Sequence, residues 1–352
     1  MPPVFRFNPV AFSWVAIHPE PKGVIQFIGG AFFGTFPTVF YRYFLQTLFE
    51  EGYTIIAFPF RFSFRHWSIA IALLKEQEVL RKELSLVTGN DFYLEKANYF
   101  WLGHSLGCKY IALLEFLSGE QWKQIAESCI EPQAYQRIKT TIANAGLESA
   151  SILSQPSLLI APDISNTESA IPVRAIPLSV VAKGITRFLD RVGLGVMPTR
   201  EQTQCFIEGS RLFNLTAMIS FDKDKLAGSE TDMFKDKQTQ ENSDVFWFIQ
   251  QLKTRKFPIL HVELEGKHLE PLGVKVSKYI VDLNPFDKFI ELLSGRLLEL
   301  YTVQFLDILR QRQSQLGIDF ESVENSEANC EESRIDKEDA IQYLEVLDSR
   351  RS

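Results

Sequence analysis

Apolar and polar positions follow two rhythms along this chain. Short apolar runs bounded by Gly, Pro or polar residues predict strands, and longer segments with apolar residues three or four apart predict helices. The predicted strands are 12–17, 23–28, 53–58, 98–102, 158–161, 215–220 and 259–264. The predicted helices are 37–50, 66–86, 109–117, 240–255 and, from an Asn-Pro start, 284–313. Because strands that alternate with helices form parallel β-α-β units, we predict an α/β fold with a mostly parallel central sheet and helices on both faces.

Two segments depart from this alternation. Residues 164–212 contain several Pro and Gly and an amphipathic piece, Val180–Leu194, which together predict an inserted helical cap. Residues 318–352 hold eleven acidic and four basic residues, so this tail carries the whole formal net charge of −7. We predict one domain over 1–317, with the cap at about 164–212, and a flexible acidic tail over 318–352. Since the rest of the chain is formally neutral, we expect no nucleic-acid partner.

The cysteines and the apolar runs limit the class of protein further. Four cysteines are scattered without a C-x-x-C pair: Cys108, Cys129, Cys205 and Cys330. We therefore expect no disulfide framework, no metal site and a reducing, cytoplasmic compartment. The chain shows neither a secretory signal pattern nor an apolar run of ~18 residues, so no transmembrane segment is expected. Peripheral membrane contact is left open, and no nucleotide-binding loop or other cofactor motif is visible.

The strongest chemical signal is Gly103-His104-Ser105-Leu106-Gly107, which follows a predicted strand and precedes a predicted helix. G-x-S-x-G in this context is typical of a nucleophile elbow, in which a sharp turn holds the serine hydroxyl at the carboxyl edge of the sheet. The N-terminus of the following helix favours a developing oxyanion. We predict Ser105 as the nucleophile; the alternative is a plain structural turn.

A second glycine pair, Gly29-Gly30, follows the predicted strand 23–28. Upstream of the elbow, this position matches the loop that supplies one N–H of an oxyanion hole. We predict backbone donors at Gly30 or Ala31, together with the N–H of Leu106. The alternative is a tight turn that requires positive φ.

A serine nucleophile needs a base, and His268 is the predicted one. In this arrangement the base follows the nucleophile and the acid in the chain, and only His261 and His268 lie downstream. His261 falls inside a predicted strand, where a histidine is more often part of the core. His268 follows that strand in Gly-Lys-His. The side chain of His104 should point away from the hydroxyl of Ser105.

The acid that orients the base should follow the preceding strand, where Ser-Phe-Asp-Lys-Asp offers Asp222 and Asp224. Related hydrolases often read Gly-x-x-Asp there, and aligning Phe221 with that glycine selects Asp224. Phe in place of Gly is a departure that bears on the loop geometry. Asp222 and Asp163 stay open as alternatives, as does a purely structural role as helix cap or solvent-facing residue.

These motifs make the chain resemble the α/β-hydrolase superfamily over roughly residues 10–310. The stretches FIGGAFFG, LGHSLG, IAPDISNTESAIP and ISFDKD also look like a hydrolase-like family of unknown function from cyanobacteria and plastids. That resemblance implies a cyanobacterial cytoplasm or a plastid stroma as the setting. It implies the fold more firmly than any substrate.

Two functions follow from this sequence. The first is a serine hydrolase, esterase- or lipase-like, that cleaves an ester, thioester or amide through Ser105, His268 and Asp224. The aromatic stretch 31–36 beside the oxyanion loop favours an apolar, lipid-like acyl substrate. The second is a non-catalytic binding or assembly protein that keeps the hydrolase scaffold, because a fold does not fix a function.

Overall fold

Eight strands in the described part of the chain form one mostly parallel sheet. The computed structural model describes residues 3–147, 150–164, 197–210, 215–281, 290–293 and 296–323. The strands are β1 (Asn8–Val10), β2 (Ser13–Ala16), β3 (Gly23–Ile28), β4 (Tyr53–Phe58), β5 (Tyr99–His104), β6 (Ser157–Ile160), β7 (Thr216–Phe221) and β8 (Leu260–Leu264). Their order in the sheet is β1-β2-β4-β3-β5-β6-β7-β8. β1 and β2 pair antiparallel, β2 is antiparallel to β4, and every pair from β4 to β8 is parallel.

Helices surround this sheet, which is the arrangement of an α/β-hydrolase fold. The helices are α1 (Pro37–Phe40), α2 (Arg42–Glu50), α3 (His66–Thr88), α4 (Leu106–Ser118), α5 (Trp122–Cys129), α6 (Pro132–Asn144), α7 (Arg200–Gly209), α8 (Lys237–Asn242), α9 (Asp244–Leu252) and α10 (Leu298–Val323). Local signals set several ends. α3 ends at Gly89, whose φ of 63° is left-handed, and Thr199 with Gln202 forms a capping box before α7.

The strand order positions a crevice at the carboxyl edge of the sheet. The chain leaves β3 towards β4 on one side, whereas β5 is followed by β6 on the other side. Connections that diverge in this way open a crevice between the two strand ends, where ligands bind in open α/β sheets. The loops after β3 and β5 carry Gly30 and Ser105, so the topology brings both predicted motifs to this crevice.

The predicted sheet is confirmed, and its central strands are mostly apolar because they are buried. Every residue of β3, β4, β5 and β7 is buried, and β3 and β4 have the predicted bounds. Two predicted helices are divided: 37–50 forms α1 and α2, with Tyr41 between them, and the segment 240–255 contains the end of α8 and all of α9.

The predicted helix over 284–313 is wrong in its first part. Residues 282–289 lie outside the described residues, and Ile290–Leu292 is a strand, β11. It pairs antiparallel with β10 (Tyr279–Val281), which also pairs with β9 (Val274–Val276). The helix α10 begins only at Leu298. Leu292 is 55% exposed, so the apolar periodicity assumed for this helix did not mark a buried face there.

The sequence indicated no disulfide framework, but the described residues contain one disulfide. Cys129, at the end of α5, is bonded to Cys205 on α7. These residues lie 76 positions apart in the chain, and only the packing of α5 against α7 brings them together. Disulfides are rare in reducing compartments, so this pair counts against the reducing compartment expected from the sequence.

The predicted cap and tail fall largely outside the described residues. Of the cap, residues 165–196 and 211–212 are not described, and the described remainder contains α7. Of the tail, 324–352 is not described. The chain divides into units of residues 1–313 and 314–352, and the predicted boundary at 317 stays a prediction. Among helices in the described ranges, none has the length and apolar character needed to cross a bilayer.

Candidate active site

Ser105 lies in the sharp turn between β5 and α4. Its φ of 55° and ψ of −123° are a conformation that side-chain-bearing residues rarely adopt. The turn is held by the Ser105 N–H, which donates to the carbonyl of Ile160 at 3.0 Å, and by the Ser105 carbonyl, which accepts from the N–H of Cys108 at 2.9 Å. A strained residue fixed by its surroundings in this way is typical of a functional site.

The two glycines of the elbow are required by crowding around this turn. A Cβ on Gly107 would lie 2.1 Å from the carbonyl oxygen of Ile28, on the neighbouring strand β3. A Cβ on Gly103 would lie 2.7 Å from the side chain of Ile111 and 2.9 Å from the N atom of Cys108. Since neither backbone can move aside, only glycine fits at either position.

Ser105, His268 and Asp224 form one hydrogen-bonded row. The Oγ of Ser105 lies 2.7 Å from Nε2 of His268, and Nδ1 of His268 lies 2.8 Å from Oδ2 of Asp224. The Nδ1–H therefore donates to the carboxylate, which leaves Nε2 to accept from the serine hydroxyl. All three residues are buried. The loop after β5, the loop after β7 and the loop after β8 supply one residue each.

The three candidate acids have different places. Asp224 binds His268 through Oδ2, and its Oδ1 accepts from the N–H groups of Leu226 and Ala227 at 2.8 and 3.0 Å. Asp222 instead accepts from the N–H of Gly266 at 2.9 Å and so joins two loops. Asp163 follows β6, and its N–H donates to the carbonyl of Ser105. A ring N–H has a single hydrogen, so Asp224 is the carboxylate that orients the ring.

Phe221 does not disturb the acid loop. It is the last residue of β7 and fully buried, and its carbonyl accepts from the N–H of Asp224 at 3.1 Å. The turn is closed by backbone bonds to the neighbouring loop, from Asp222 N–H to the carbonyl of Leu264 and from Lys223 N–H to the carbonyl of Gly266. The glycine expected in related hydrolases is not needed for this geometry.

The electrostatics of the row raise the basicity of His268. Burial acts to lower the pKa of His268, but the charge and hydrogen bond of Asp224 and the charge of Asp163 act against it. The net result is a pKa raised above the usual value of 6.5. A histidine with a raised pKa is a stronger proton acceptor from a serine hydroxyl.

The predicted oxyanion donors need one correction. The N–H of Gly30 donates to the hydroxyl of Tyr41 at 2.7 Å, so this donor is already engaged and Gly30 is wrong as an oxyanion-hole donor. No backbone acceptor in the described ranges takes the N–H of Ala31 or the N–H of Leu106. These two predicted donors come from the loop after β3 and from the first residue of α4.

Two other histidines have partners of their own. His104 turns away from the serine hydroxyl, as expected: its Nδ1 contacts the hydroxyl of Tyr41 at 2.8 Å, and its Nε2 contacts the carbonyl of His268 at 2.8 Å. His261 lies on β8 and binds Ser220 at 2.8 Å. No sequence signal pointed to Tyr41, because it lies in a segment whose pattern predicts an ordinary helix.

Aromatic side chains lie beside the oxyanion loop. Phe32 is 47% exposed, and its ring stacks on Phe62 at 4.8 Å between centroids. Phe62 in turn contacts Phe64 edge to face at 5.3 Å. A separate cavity of about 390 Å³ touches Asp224 and is lined mainly by polar residues between 225 and 243. Ser105 and His268 do not line it.

Comparisons with known proteins leave the function open. A family described as "Protein of unknown function (DUF1350)" matches residues 6–126, about a third of the chain. This agrees with the resemblance to a family of unknown function seen in the sequence. Among curated proteins, no significant match was found.

Several solved structures are similar to this chain. Esterase B from Lactobacillus rhamnosis, with a C6-C4 SN3 inhibitor, is 10% identical with a TM-score of 0.45, covering 86% of this chain and 84% of its own. An esterase from Pyrobaculum calidifontis is 12% identical, with a TM-score of 0.41 and coverage of 86% and 78%. TT1662 from Thermus thermophilus is 13% identical, with a TM-score of 0.39 and coverage of 87% and 98%. Similarity at this level says nothing about substrate or activity.

Proposed function

We propose that this protein is a serine hydrolase that cleaves a carboxylic ester, thioester or amide. The observation that carries the proposal is the buried row in which Asp224 binds His268 at 2.8 Å and His268 binds Ser105 at 2.7 Å. A hydroxyl bound to a carboxylate-oriented imidazole is an activated nucleophile.

In the first half of the reaction, Oγ of Ser105 attacks the substrate carbonyl carbon while its proton moves to Nε2 of His268. Asp224 keeps the proton on Nδ1 and stabilises the imidazolium that forms. The tetrahedral intermediate then collapses: the bond to the leaving group breaks, and His268 returns the proton to that group. The products are a free alcohol, thiol or amine and an acyl-enzyme on Ser105.

In the second half, water attacks the acyl carbon and gives up a proton to His268. The acid leaves, and the proton returns to Ser105. In both halves the negative oxygen is stabilised by the N–H groups of Ala31 and Leu106, assisted by the N-terminal end of α4. Removing one such donor from an oxyanion hole costs about 10²- to 10³-fold in rate.

The substrate class follows from the surroundings of Ala31. Phe32 follows Ala31 on the loop after β3, and its ring stacks on Phe62 of the loop after β4. The loops are tied together, since the N–H of Phe60 donates to the carbonyl of Gly34 at 3.2 Å. We infer an apolar, lipid-like acyl group, because aromatic walls favour such groups over charged ones.

A panel of p-nitrophenyl esters with acyl chains of increasing length tests this function. We expect turnover by the wild type, no turnover by Ser105→Ala, and kcat/KM that rises with acyl length. Turnover that is equal in both proteins would exclude Ser105 as the nucleophile. A folded wild type that turns over no ester, thioester or amide would favour the non-catalytic binding protein instead.

A further inference from the structure

A second row of hydrogen bonds runs behind the proposed triad and joins its loops. The N–H of Gly30 contacts the Tyr41 hydroxyl at 2.7 Å, which contacts Nδ1 of His104 at 2.8 Å. Nε2 of the same ring contacts the backbone carbonyl of His268 at 2.8 Å. Tyr41 and His104 are fully buried. The row therefore connects the oxyanion loop, the residue before the nucleophile and the loop of the base.

The acceptors fix the direction of every hydrogen in this row. A backbone carbonyl can only accept, so Nε2 of His104 carries a proton and donates to His268. Burial, together with the neighbouring His268, lowers the pKa of His104 to about 3. The ring is therefore neutral, Nδ1 has no proton, and the Tyr41 hydroxyl donates to it. The oxygen of Tyr41 then accepts from the N–H of Gly30, and no group in the row lacks a partner.

We propose that Tyr41 and His104 are positioning residues that hold the oxyanion loop and the base loop in register with Ser105. This inference rests on the proposed hydrolase function. His104 holds the peptide of His268, whose side chain binds Ser105. Tyr41 holds the peptide of Gly30, which adjoins the donor at Ala31. The row thus joins two loops that follow β3 and β8, strands on opposite sides of β5 in the sheet order.

The row also explains why Gly30 is unsuitable as an oxyanion donor. Its N–H points into the protein at Tyr41, and this orients the following peptide, which carries the N–H of Ala31. Small displacements of catalytic groups are costly, since a shift of about 1 Å can lower a rate about 10²-fold. The loss of either bond in the row should therefore act on the chemical step.

Packing of the Tyr41 ring is a competing explanation for its presence. A Cβ on Gly29 would lie 2.7 Å from this ring, so the ring occupies the space that a side chain at position 29 would need. Tyr41→Phe separates the two roles, because it keeps the ring and removes only the oxygen. Tyr110→Phe is a matched control: Tyr110 lies on α4, is equally buried, and its hydroxyl has no hydrogen-bond partner in the described residues.

Steady-state kinetics on the best ester, well below the unfolding temperature, give the main test. We expect Tyr41→Phe to lower kcat about 10- to 100-fold with little change in KM, and Tyr110→Phe to match the wild type. A merely structural role would lower the melting temperature of Tyr41→Phe and leave the kcat of the folded protein unchanged. Equal kcat in the two variants would overturn the proposal.

Substitutions at His104 test the two ends of the row separately. His104→Gln can keep the bond to the His268 carbonyl and loses the one to Tyr41, whereas His104→Asn can do the reverse. We expect each to lower kcat less than His104→Ala does. A His104→Ala variant that is folded and fully active would overturn the proposal.

Imidazole ¹⁵N spectra add a measurement that does not depend on activity. We expect His104 to be neutral with its proton on Nε2 from pH 5 to pH 8, in keeping with a pKa near 3. A proton on Nδ1, or titration near pH 6.5, would overturn the hydrogen-bond row itself. The expected spectrum in a wild type without turnover would instead leave the row intact and end the hydrolase function on which the positioning role rests.

Discussion

The elbow and the paired loops of the acid and base hold the same row of side chains, but by different means. At the elbow, sterics decide: a Cβ on Gly107 would collide with a backbone carbonyl of β3 at 2.1 Å. In the loops after β7 and β8, backbone hydrogen bonds set the conformation. The N–H of Lys223, for example, donates to the carbonyl of Gly266. A collision depends on residue type, whereas a backbone hydrogen bond tolerates almost any side chain. The elbow is therefore visible in the sequence and the acid loop is ambiguous.

The largest expected effect is a loss of stability at the elbow, the region that sterics determine. Gly107→Ala should prevent folding or lower the free energy of unfolding by more than about 5 kcal/mol, because neither backbone can move away. Gly89→Ala is the control: its φ is positive, unlike that of Gly107, but no atom lies within 4 Å of the added Cβ. It should cost only about 1–2 kcal/mol. Urea unfolding followed by circular dichroism measures both, and similar losses would refute the steric account.

The next largest effect is the loss of rate expected on removing His268, the proposed base in the loop after β8. His268→Ala should lower kcat/KM on a good ester by about 10³-fold or more, because the serine then loses its proton acceptor. His261→Ala removes a histidine from the preceding strand and should stay within about tenfold of the wild type. Initial rates of both folded variants decide the matter. An unchanged rate in His268→Ala would remove this residue from the mechanism.

The pH dependence of kcat/KM tests how the charge of Asp224 acts on the pKa of His268. His268 must be neutral to accept a proton, so kcat/KM should fall as the pH drops through its raised pKa, with the acid limb above pH 6.5. In Asp224→Asn the raising charge is gone and burial dominates. The acid limb should then move to lower pH while the rate falls. A pH–rate profile whose acid limb is the same in both proteins would contradict this cause of the shift.

The smallest expected effect is in the acid loop. Asp222→Ala removes the bond to the N–H of Gly266, an exposed contact, and should cost about 1 kcal/mol of stability and less than about tenfold in kcat/KM. A loss as large as that of Asp224→Asn would mean that Asp222 orients the base. Thermal unfolding and ester kinetics on the same samples distinguish these outcomes.

Much of the fold could be predicted from sequence, because most residues of the buried parallel strands are apolar. β3 and β4 have the predicted bounds for this reason. The strands β9, β10 and β11 have three residues each, too few to show a period. The Asn284-Pro285 start chemistry suggested a helix where β11 follows. A local capping signal therefore outweighed the weaker signal of a short, exposed strand.

The site was predictable as far as its signals are local. Ser105 carries its own motif, and the order of the elements narrowed the base to His268. The sequence favoured Asp224 but left Asp222 and Asp163 open as alternatives, since only the direction of the loops decides which carboxylate faces the ring. The hydrogen bond from the Gly30 N–H to the Tyr41 hydroxyl could not be predicted from sequence. It depends on how the segment between α1 and α2 packs. The disulfide between Cys129 and Cys205 was missed for the same reason.

Labelling with a fluorophosphonate probe tests the central claim most directly, since it needs the activated serine and no knowledge of the substrate. Mass spectrometry should map the adduct of the wild type to Ser105, and Ser105→Ala should form none. His268→Ala should react about 10³-fold more slowly. A folded wild type that stays unlabelled, or an adduct that persists in Ser105→Ala, would contradict the account.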